Sequence, residues 1–504
     1  MYKKYRHFWL MFLAGLLLAA SRLPLHTGFL VFWSLIPIFI LFNSKLSIKQ
    51  ILISAYVFSF VYIIVSLHWI NLVTIPGFFG MIIIIGLYFF ILFLLVYKLW
   101  HQFPKVKYLS FILLWLSFEI LQNFGEFRFP WFNIGYSLAD YLPLIQPAEI
   151  GGIYLLSLLI IIINILIYNL INNFKKNIII LSVVIILWSS YGILRLRNIR
   201  LKKSDTKVAM VQVSVPQNKK WKDKYLDSTI ALYKNFTQKA AKEDPSLIIW
   251  PESALPVYSL KQSKYRLLIK KLAKENGADI FTGFPHYIYA GKDHPSKYKF
   301  YNAATKFGKD GDIAPYYSKN ILVPFGERIP FLKYFPFLWN IHLGQANWEY
   351  GKEQKFYNIN NETYSPLICF EIAFERLTTK IARQDVDFIV NITNDAWFYR
   401  SAGTYQHAIM AKFRAIETRK QVFRAANTGY SLVVSPSGKI RKKSKLFEKT
   451  IILDNVLIYN GRSYFTKYLS WFPFVFIIGA LILMIFWLSK YLYERSKRLE
   501  NNKI

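Results

Sequence analysis

A single cysteine, Cys369, in 504 residues rules out any disulfide within the chain. That thiol is left to burial, metal ligation or nucleophilic chemistry. Acidic residues are scarce too: 29 Asp and Glu stand against 63 Lys and Arg, a formal charge of +34. The excess invites a nucleic-acid reading, but the basic residues are spread through the chain and no binding signature accompanies them. A basic surface attracting anionic headgroups beside a bilayer is the reading that survives. Histidine is rarer still, with 8 residues, His286, His294 and His407 among them, and no His-Glu-x-x-His pair. Residues 391–395 hold carboxamides and one acid without calcium-loop spacing. No glycine-rich phosphate loop follows a strand-like run. Neither a metal nor a cofactor is expected.

Charge is missing most completely from eight apolar runs, at residues 9–20, 28–42, 51–70, 77–97, 108–120, 153–171, 178–194 and 472–488. A membrane span takes roughly 20 apolar residues. Most of the runs qualify; 9–20 and 108–120 are short. The first run also resembles a signal peptide, with Lys3, Lys4 and Arg6 before it and Leu18-Ala-Ala-Ser21 after it. We read it as a retained helix, because further spans follow at once. Lysines gather in alternate loops (Lys45 and Lys49; Lys98, Lys105 and Lys107; Lys175 and Lys176), whereas the other loops hold only Arg22 and Arg128. The basic set is cytoplasmic by the positive-inside rule. Seven spans then put the chain after Arg195 on the outer face. An eighth returns a basic tail (Lys490, Arg495, Lys497, Arg498) to the inside.

Residues 205–457 read differently. Strand-like runs at 207–213, 247–250, 279–283, 388–393, 421–426 and 431–434 are interspersed with helical spacing at 226–242, 265–276 and 406–418. That mixture indicates an α/β domain. Three expected units follow: a membrane domain of about seven helices (1–200), an outer α/β domain (201–465), and a last span with its tail (466–504).

Cys369 closes the run Tyr364-Ser-Pro-Leu-Ile-Cys-Phe-Glu371. Trp250-Pro-Glu-Ser253 supplies a carboxylate, Glu252, and Tyr317-Ser-Lys319 an ammonium, Lys319. Glu252 and Cys369 fall just after strand-like runs, where open α/β sheets build their sites. These three motifs, in this order, resemble the nitrilase (carbon-nitrogen hydrolase) superfamily, whose mark is a Glu-Lys-Cys triad on an α-β-β-α sandwich. The membrane frame narrows the resemblance to the apolipoprotein N-acyltransferase family. So do Phe129-Pro-Trp-Phe-Asn-Ile-Gly-Tyr-Ser137, Leu322-Val-Pro-Phe-Gly-Glu327, Asn394-Asp-Ala-Trp-Phe398, Gln406-His407, Arg414-Ala-Ile-Glu417 and Arg424-Ala-Ala-Asn-Thr-Gly429. One position departs: the family's usual tyrosine after the cysteine is Phe370 here.

The resemblance implies transfer of a fatty acyl chain from a phospholipid, through a thioester on Cys369, to the N-terminal α-amine of a diacylglyceryl-modified apolipoprotein. It implies a multi-pass protein of the cytoplasmic (inner) membrane with its catalytic domain on the periplasmic face. Lys319 would favour the thiolate, and Glu252 would move protons. Lys319 and the Phe370 N–H would face the oxyanion. Glu327 and Glu371 are expected to orient Lys319 or the amine, with Glu371 as a helix cap as the plainer reading. The apolar segment 330–339, with Trp339, and the pair Trp397 and Phe398 are expected to dip toward the outer leaflet and gate lipid entry, packing on the core being the alternative. Trp221 is expected to line the acyl path. Glu119 either faces the bundle interior or marks the interface. The competing functions are a membrane-anchored nitrilase-type amidase and a non-catalytic lipoprotein-binding scaffold.

Overall fold

The computed structural model describes residues 2–292, 294–340 and 347–501. Helices fill the chain to residue 198: α1 (Tyr2–Ala20), α2 (Ile36–Phe42), α3 (Ile48–Ser66), α4 (Ile70–Val73), α5 (Ile75–Gln102), α6 (Lys107–Leu121), α7 (Ala148–Asn169) and α8 (Phe174–Asn198). Then follow β1 (Lys202–Gln212), α9 (Gln217–Lys220), α10 (Leu226–Ala241), β2 (Leu247–Ile249), α11 (Ser263–Glu275), β3 (Asp279–Tyr289), β4 (Tyr298–Phe307), β5 (Tyr317–Ser318) and β6 (Tyr357–Ile359). The chain closes with β7 (Glu362–Ile368), α12 (Glu375–Ala382), β8 (Phe388–Thr393), α13 (Ala402–Thr418), β9 (Gln421–Ala426), β10 (Leu432–Val434), β11 (Ile440–Lys443), β12 (Thr450–Ile458) and α14 (Phe472–Asn501).

Five helices among the described residues are long and apolar enough to cross a membrane: α3, α5, α7, α8 and the Phe472–Lys497 stretch of α14. The expected count of eight is not confirmed. Run 28–42 breaks into a 3-10 turn (Gly28–Phe32) and the short α2. With 15 residues, α6 rises about 22 Å, less than a hydrocarbon core of about 30 Å. In α1 the apolar stretch covers only Tyr5–Ala20. The start of α5 matters most for the site. Thr74 caps it, its hydroxyl accepting from the Gly77 N–H at 3.3 Å, and Pro76 fits the first turn, where its missing N–H costs nothing.

The strands form two six-stranded sheets, ordered β12-β1-β2-β3-β4-β5 and β11-β10-β9-β8-β7-β6. In each sheet three central strands run parallel, β1-β2-β3 and β7-β8-β9. Period-2 alternation sorts the side chains. Val208, Met210, Ile249, Phe281, Ile368, Val390 and Phe423 fill the space between the sheets. Ala209, Val211, Ile248 and Ile280 pack under α10 and α11. Leu367, Ile389 and Val422 face the other way, into one apolar cluster that also contains α13 and the N-terminal helices. This is the expected α-β-β-α sandwich, with its second helical layer doubling as the seat on the helix bundle.

The seat explains why α13 is buried along its length except at Tyr405, although it carries Gln406, His407, Lys412, Arg414 and Glu417. Each polar group finds a partner across the junction or within the domain. Gln406 does the most. Its Oε1 accepts from the indole N–H groups of Trp69 and Trp131, both at 3.1 Å. Its Nε2 donates to the Ser66 carbonyl at 3.0 Å and hydroxyl at 3.1 Å. Glu417 accepts from the Ile153 N–H at 2.9 Å. That N–H is freed by a break in α7 at Gly152, which sits at φ +65° with the Phe465 ring against it. Glu119 faces the bundle interior and is fully buried, accepting from Trp115 Nε1 at 3.1 Å and the Ile134 N–H at 3.0 Å.

Gln406→Leu keeps the volume but strands two buried indole donors and the Ser66 carbonyl. Unsatisfied buried groups cost about 1–3 kcal/mol each. We expect about 3 kcal/mol of lost stability, read by thermal unfolding of the full chain in detergent; an unchanged transition would show that this junction contributes nothing.

Candidate active site

The strand ends bring the motifs together. Glu252 follows β2 in one sheet, Cys369 follows β7 in the facing sheet, and Lys319 follows the two-residue β5. Both turns use the left-handed region, Ser253 at φ +44° and Cys369 at φ +52°, a conformation that non-glycine residues hold only where the surroundings enforce it. The turn after β7 lifts the thiol out of the sheet, so Cys369 is half-buried rather than sealed in the core.

Lys319 is 1% exposed, and its Nζ lies 2.8 and 2.7 Å from the two oxygens of Glu327 and 3.9 Å from Glu252 Oε1. Asn302 Nδ2 ties the carboxylates to one another, donating to Glu252 Oε1 at 2.7 Å and Glu327 Oε1 at 3.1 Å. The other Glu252 oxygen accepts from the Asn394 N–H at 2.8 Å. Burial works against charge on Lys319, but the Glu327 carboxylate wins and its pKa is raised. Burial, with the Glu252 carboxylate adding to it and Lys319 opposing, pushes the Cys369 thiol well above its ordinary range. Lys319 does favour the thiolate, but burial and the Glu252 carboxylate outweigh it, and the Lys319 charge is engaged by Glu327.

Glu371 is fully buried and does not reach Lys319. One oxygen accepts from the Tyr317 hydroxyl (2.7 Å) and the N–H groups of Asn320 (2.6 Å) and Ile321 (3.1 Å), the other from the Ile368 N–H at 2.7 Å. It therefore clasps the lysine loop to the cysteine strand. Burial, opposed by these donors, raises its pKa to about 7. It does not cap α12, whose first turn follows Phe374, but its bond from the Ile368 N–H caps the 3-10 turn Cys369–Ala373. Phe370 is buried, its ring stacked on Trp131 (5.8 Å, 16°) and Phe129 (6.3 Å, 23°).

Two cavities meet at Cys369. One, with about 990 Å³ of empty space, is almost wholly apolar; Trp69, Val73, Met81, Ile85 and Tyr88 line it on the bundle side, and Phe127, Phe129 and Phe370 lie opposite. The other, about 780 Å³, holds Glu252, Lys319, Glu327 and Asn394 with Trp221 and Trp397. Phe398 lines both and packs edge-on against Trp69 at 4.7 Å. Trp221 thus lines the second cavity, with the charged residues, and not the first. Trp339 lines neither cavity and packs edge-on against His294 at 5.3 Å. Its neighbours Tyr334, Phe335 and Phe337 are exposed.

Sequence reasoning missed a supporting layer. His407 lies between Asp395, at 2.9 Å, and the Cys369 carbonyl, at 3.1 Å. Arg424 donates to Asp395 at 2.7 Å and also to Asn391, which donates in turn to the Leu367 carbonyl at 3.2 Å. Burial would raise the Asp395 pKa, but Arg424 and His407 hold its carboxyl well below the usual range. Lys220, buried on α9, donates to the Glu252 carbonyl at 3.0 Å, and burial lowers its pKa to about 8. The family motifs already contained Asp395, His407 and Arg424. Asn302 and Lys220 carry no local signal.

The carbon-nitrogen hydrolase model matches residues 207–458, and the model for the apolipoprotein N-acyltransferase N-terminal domain matches residues 14–166. The apolipoprotein N-acyltransferase of Geobacter metallireducens is 34% identical over 384 residues, 74% of this chain and 73% of that one. That of Rickettsia typhi is 32% identical over 458 residues, 86% and 89% of the two chains. An amidase structure from Nesterenkonia sp. superposes with a TM-score of 0.39 at 16% identity, covering 51% of this chain and 92% of its own.

Glu371→Gln turns an amide NH₂ toward a group that must donate, whichever way it is placed. We expect about 1–3 kcal/mol of lost stability and at least a tenfold loss of activity from a displaced lysine loop. Thermal unfolding and turnover of the purified variant check both; wild-type values in each would remove the clasp.

Proposed function

We infer the reaction from one premise: the chain belongs to the apolipoprotein N-acyltransferase family. It is a membrane enzyme that N-acylates apolipoproteins. We propose that the acyl donor is a phospholipid and the acceptor the N-terminal α-amine of a diacylglyceryl apolipoprotein, with Cys369 as nucleophile. The observation that carries this reading is the junction, at a single thiol, of an apolar cavity walled by bundle helices with a second cavity that holds Glu252, Lys319 and Glu327.

Glu252 takes the Cys369 proton as Sγ attacks the ester carbonyl carbon. Concerted transfer suits a thiol whose pKa is raised. Negative charge collects on the carbonyl oxygen, and the Lys319 ammonium and the Phe370 N–H face it. The ester C–O bond breaks, Glu252 returns the proton to the leaving lysophospholipid oxygen, and the acyl group stays as a thioester. The acceptor amine then attacks that thioester, Glu252 accepts its proton, the C–S bond breaks, and the thiol is restored. Glu327 holds Lys319 charged throughout, and Glu371 holds its loop. The apolar walls keep water from the thioester, which supports transfer over the hydrolysis an amidase would perform. Phe398, between the cavities, and the exposed aromatics at 331–337 support a lipid-side entrance; the packing of Trp339 on His294 supports a role in holding that segment.

The alternating loop lysines support a cytoplasmic-membrane protein with its catalytic domain on the outer face. We keep the division at 1–200, 201–465 and 466–504 as that of bundle, catalytic domain and final helix with its tail.

Incubation with phospholipid alone should add the mass of one acyl chain at Cys369, seen by intact and peptide mass spectrometry, and Cys369→Ser should abolish lipoprotein acylation. Glu252→Gln should slow acyl-enzyme formation by about 10²–10⁴. Full acylation by Cys369→Ser would overturn the nucleophile. An acyl-enzyme given up to water as fast as to an amine would favour the amidase.

A further inference from the structure

A second apolar groove, with about 1050 Å³ of empty space, runs between α5, α6 and α14. Ser117 and Ala480 belong to its lining, and both are almost completely buried. Its outer lip is lipid-like in character and exposed: Ile91, Leu121 and Leu481. The groove is not separate from the catalytic cavity. Ile85, Tyr88, Phe127 and Phe129 line both, so the two apolar spaces meet along one shared wall.

We propose that this groove holds the acyl chain of the phospholipid donor that is not transferred. The proposal rests on the donor class given above. A diacyl phospholipid carries two chains on adjacent glycerol carbons, and only one ester can lie at Cys369. The other chain must leave the catalytic cavity within a few atoms of that ester, and the groove branches from the cavity's wall. Its depth fits. From Ile85 to Leu95 is ten residues of α5, about 15 Å of rise, which is one leaflet's half of a hydrocarbon core of about 30 Å. Its polarity fits as well. Arg376 lies 4.6 Å over the ring of Phe124 at the groove's domain-side end, so charge caps the end where a headgroup begins. Within a bilayer a seated chain gains packing rather than dehydration. The groove therefore acts by register, fixing which ester of a two-chain lipid meets the thiol.

The test uses the full chain in detergent and two donors with the same headgroup: a diacyl phospholipid, and the lysophospholipid that keeps only the transferable chain. Single-turnover formation of acyl-Cys369 is followed by intact mass. Ala480→Phe fills the floor of the groove. It should slow acylation by the diacyl donor at least tenfold and leave the single-chain donor within twofold of wild type. Ser117→Leu, at a second floor position, should show the same donor selectivity. An equal fall with both donors in both variants, or no fall with the diacyl donor, would overturn the assignment. Absence of any acyl-enzyme in the wild type would instead remove the donor class itself, and the groove's role with it.

Discussion

One thiol must face two media, and the rest of the structure follows from that. Cys369 borders an apolar cavity walled by bundle helices, and it borders a carboxylate and an ammonium that need polar company. A soluble sandwich satisfies only the second need. Here the sandwich solves the first by giving up one of its outer surfaces. The α12–α13 layer, which would otherwise face water, is turned onto a helix bundle, and the apolar cavity forms in the seam. The cost is a polar helix buried on all sides, and it is met by pairing. Arg424 meets Asp395, Arg414 meets Glu417, and Arg419, just past α13, meets Glu149 of α7 at 2.8 Å. Breaking one partner of such a pair is far more costly than the pair's net worth; of the three, Arg419–Glu149 spans the junction, so it fixes the docking geometry more than it adds to stability.

The same burial sets the site's electrostatics. Two acids, one amide and one ammonium share a small volume at Glu252, Glu327, Asn302 and Lys319. Glu327 keeps both oxygens near Lys319, whereas Glu252 keeps one oxygen on the Asn394 N–H and the other on Asn302. The division of labour follows from those partners: one carboxylate neutralises the ammonium, and the other remains available for protons.

Much of this was legible from residues alone, for identifiable reasons. Strands β8 and β9 and helix α13 announce themselves because period and composition agree. The strand at 279–283 was read too short, because β3 runs on to Tyr289 in a hairpin with β4 whose tyrosines and lysines hide the alternation. Asn302 lies on that hidden strand, which is why its bridge between the two glutamates was invisible. Glu371 was expected to orient Lys319 or the amine; apart from the nearby Ile368 N–H, its partners come from residues 317–321, about fifty positions away, and no spacing rule reaches that far. The span count is left unconfirmed where apolar runs are interrupted or short, since hydropathy does not show whether a run such as 28–42 is one helix or two pieces.

Gln406 and His407 show how closely the helix-bundle seat and Cys369 are joined. They are adjacent on α13, yet they reach in different directions. Gln406 holds the indole N–H groups of Trp69 and Trp131. His407 holds the carbonyl of Cys369. Trp131 closes the ring, because it stacks on Phe370, the residue bonded to Cys369. A shift of the domain on its seat therefore moves the Trp131 wall and the Cys369 turn together. Phe370 gains meaning in this light. Where the family's usual tyrosine would bring a hydroxyl, this chain keeps an apolar ring in an apolar stack of Phe129, Trp131 and Phe370. The constraint at this position is thus the flat ring and the N–H beside the thiol, and both are retained without the hydroxyl.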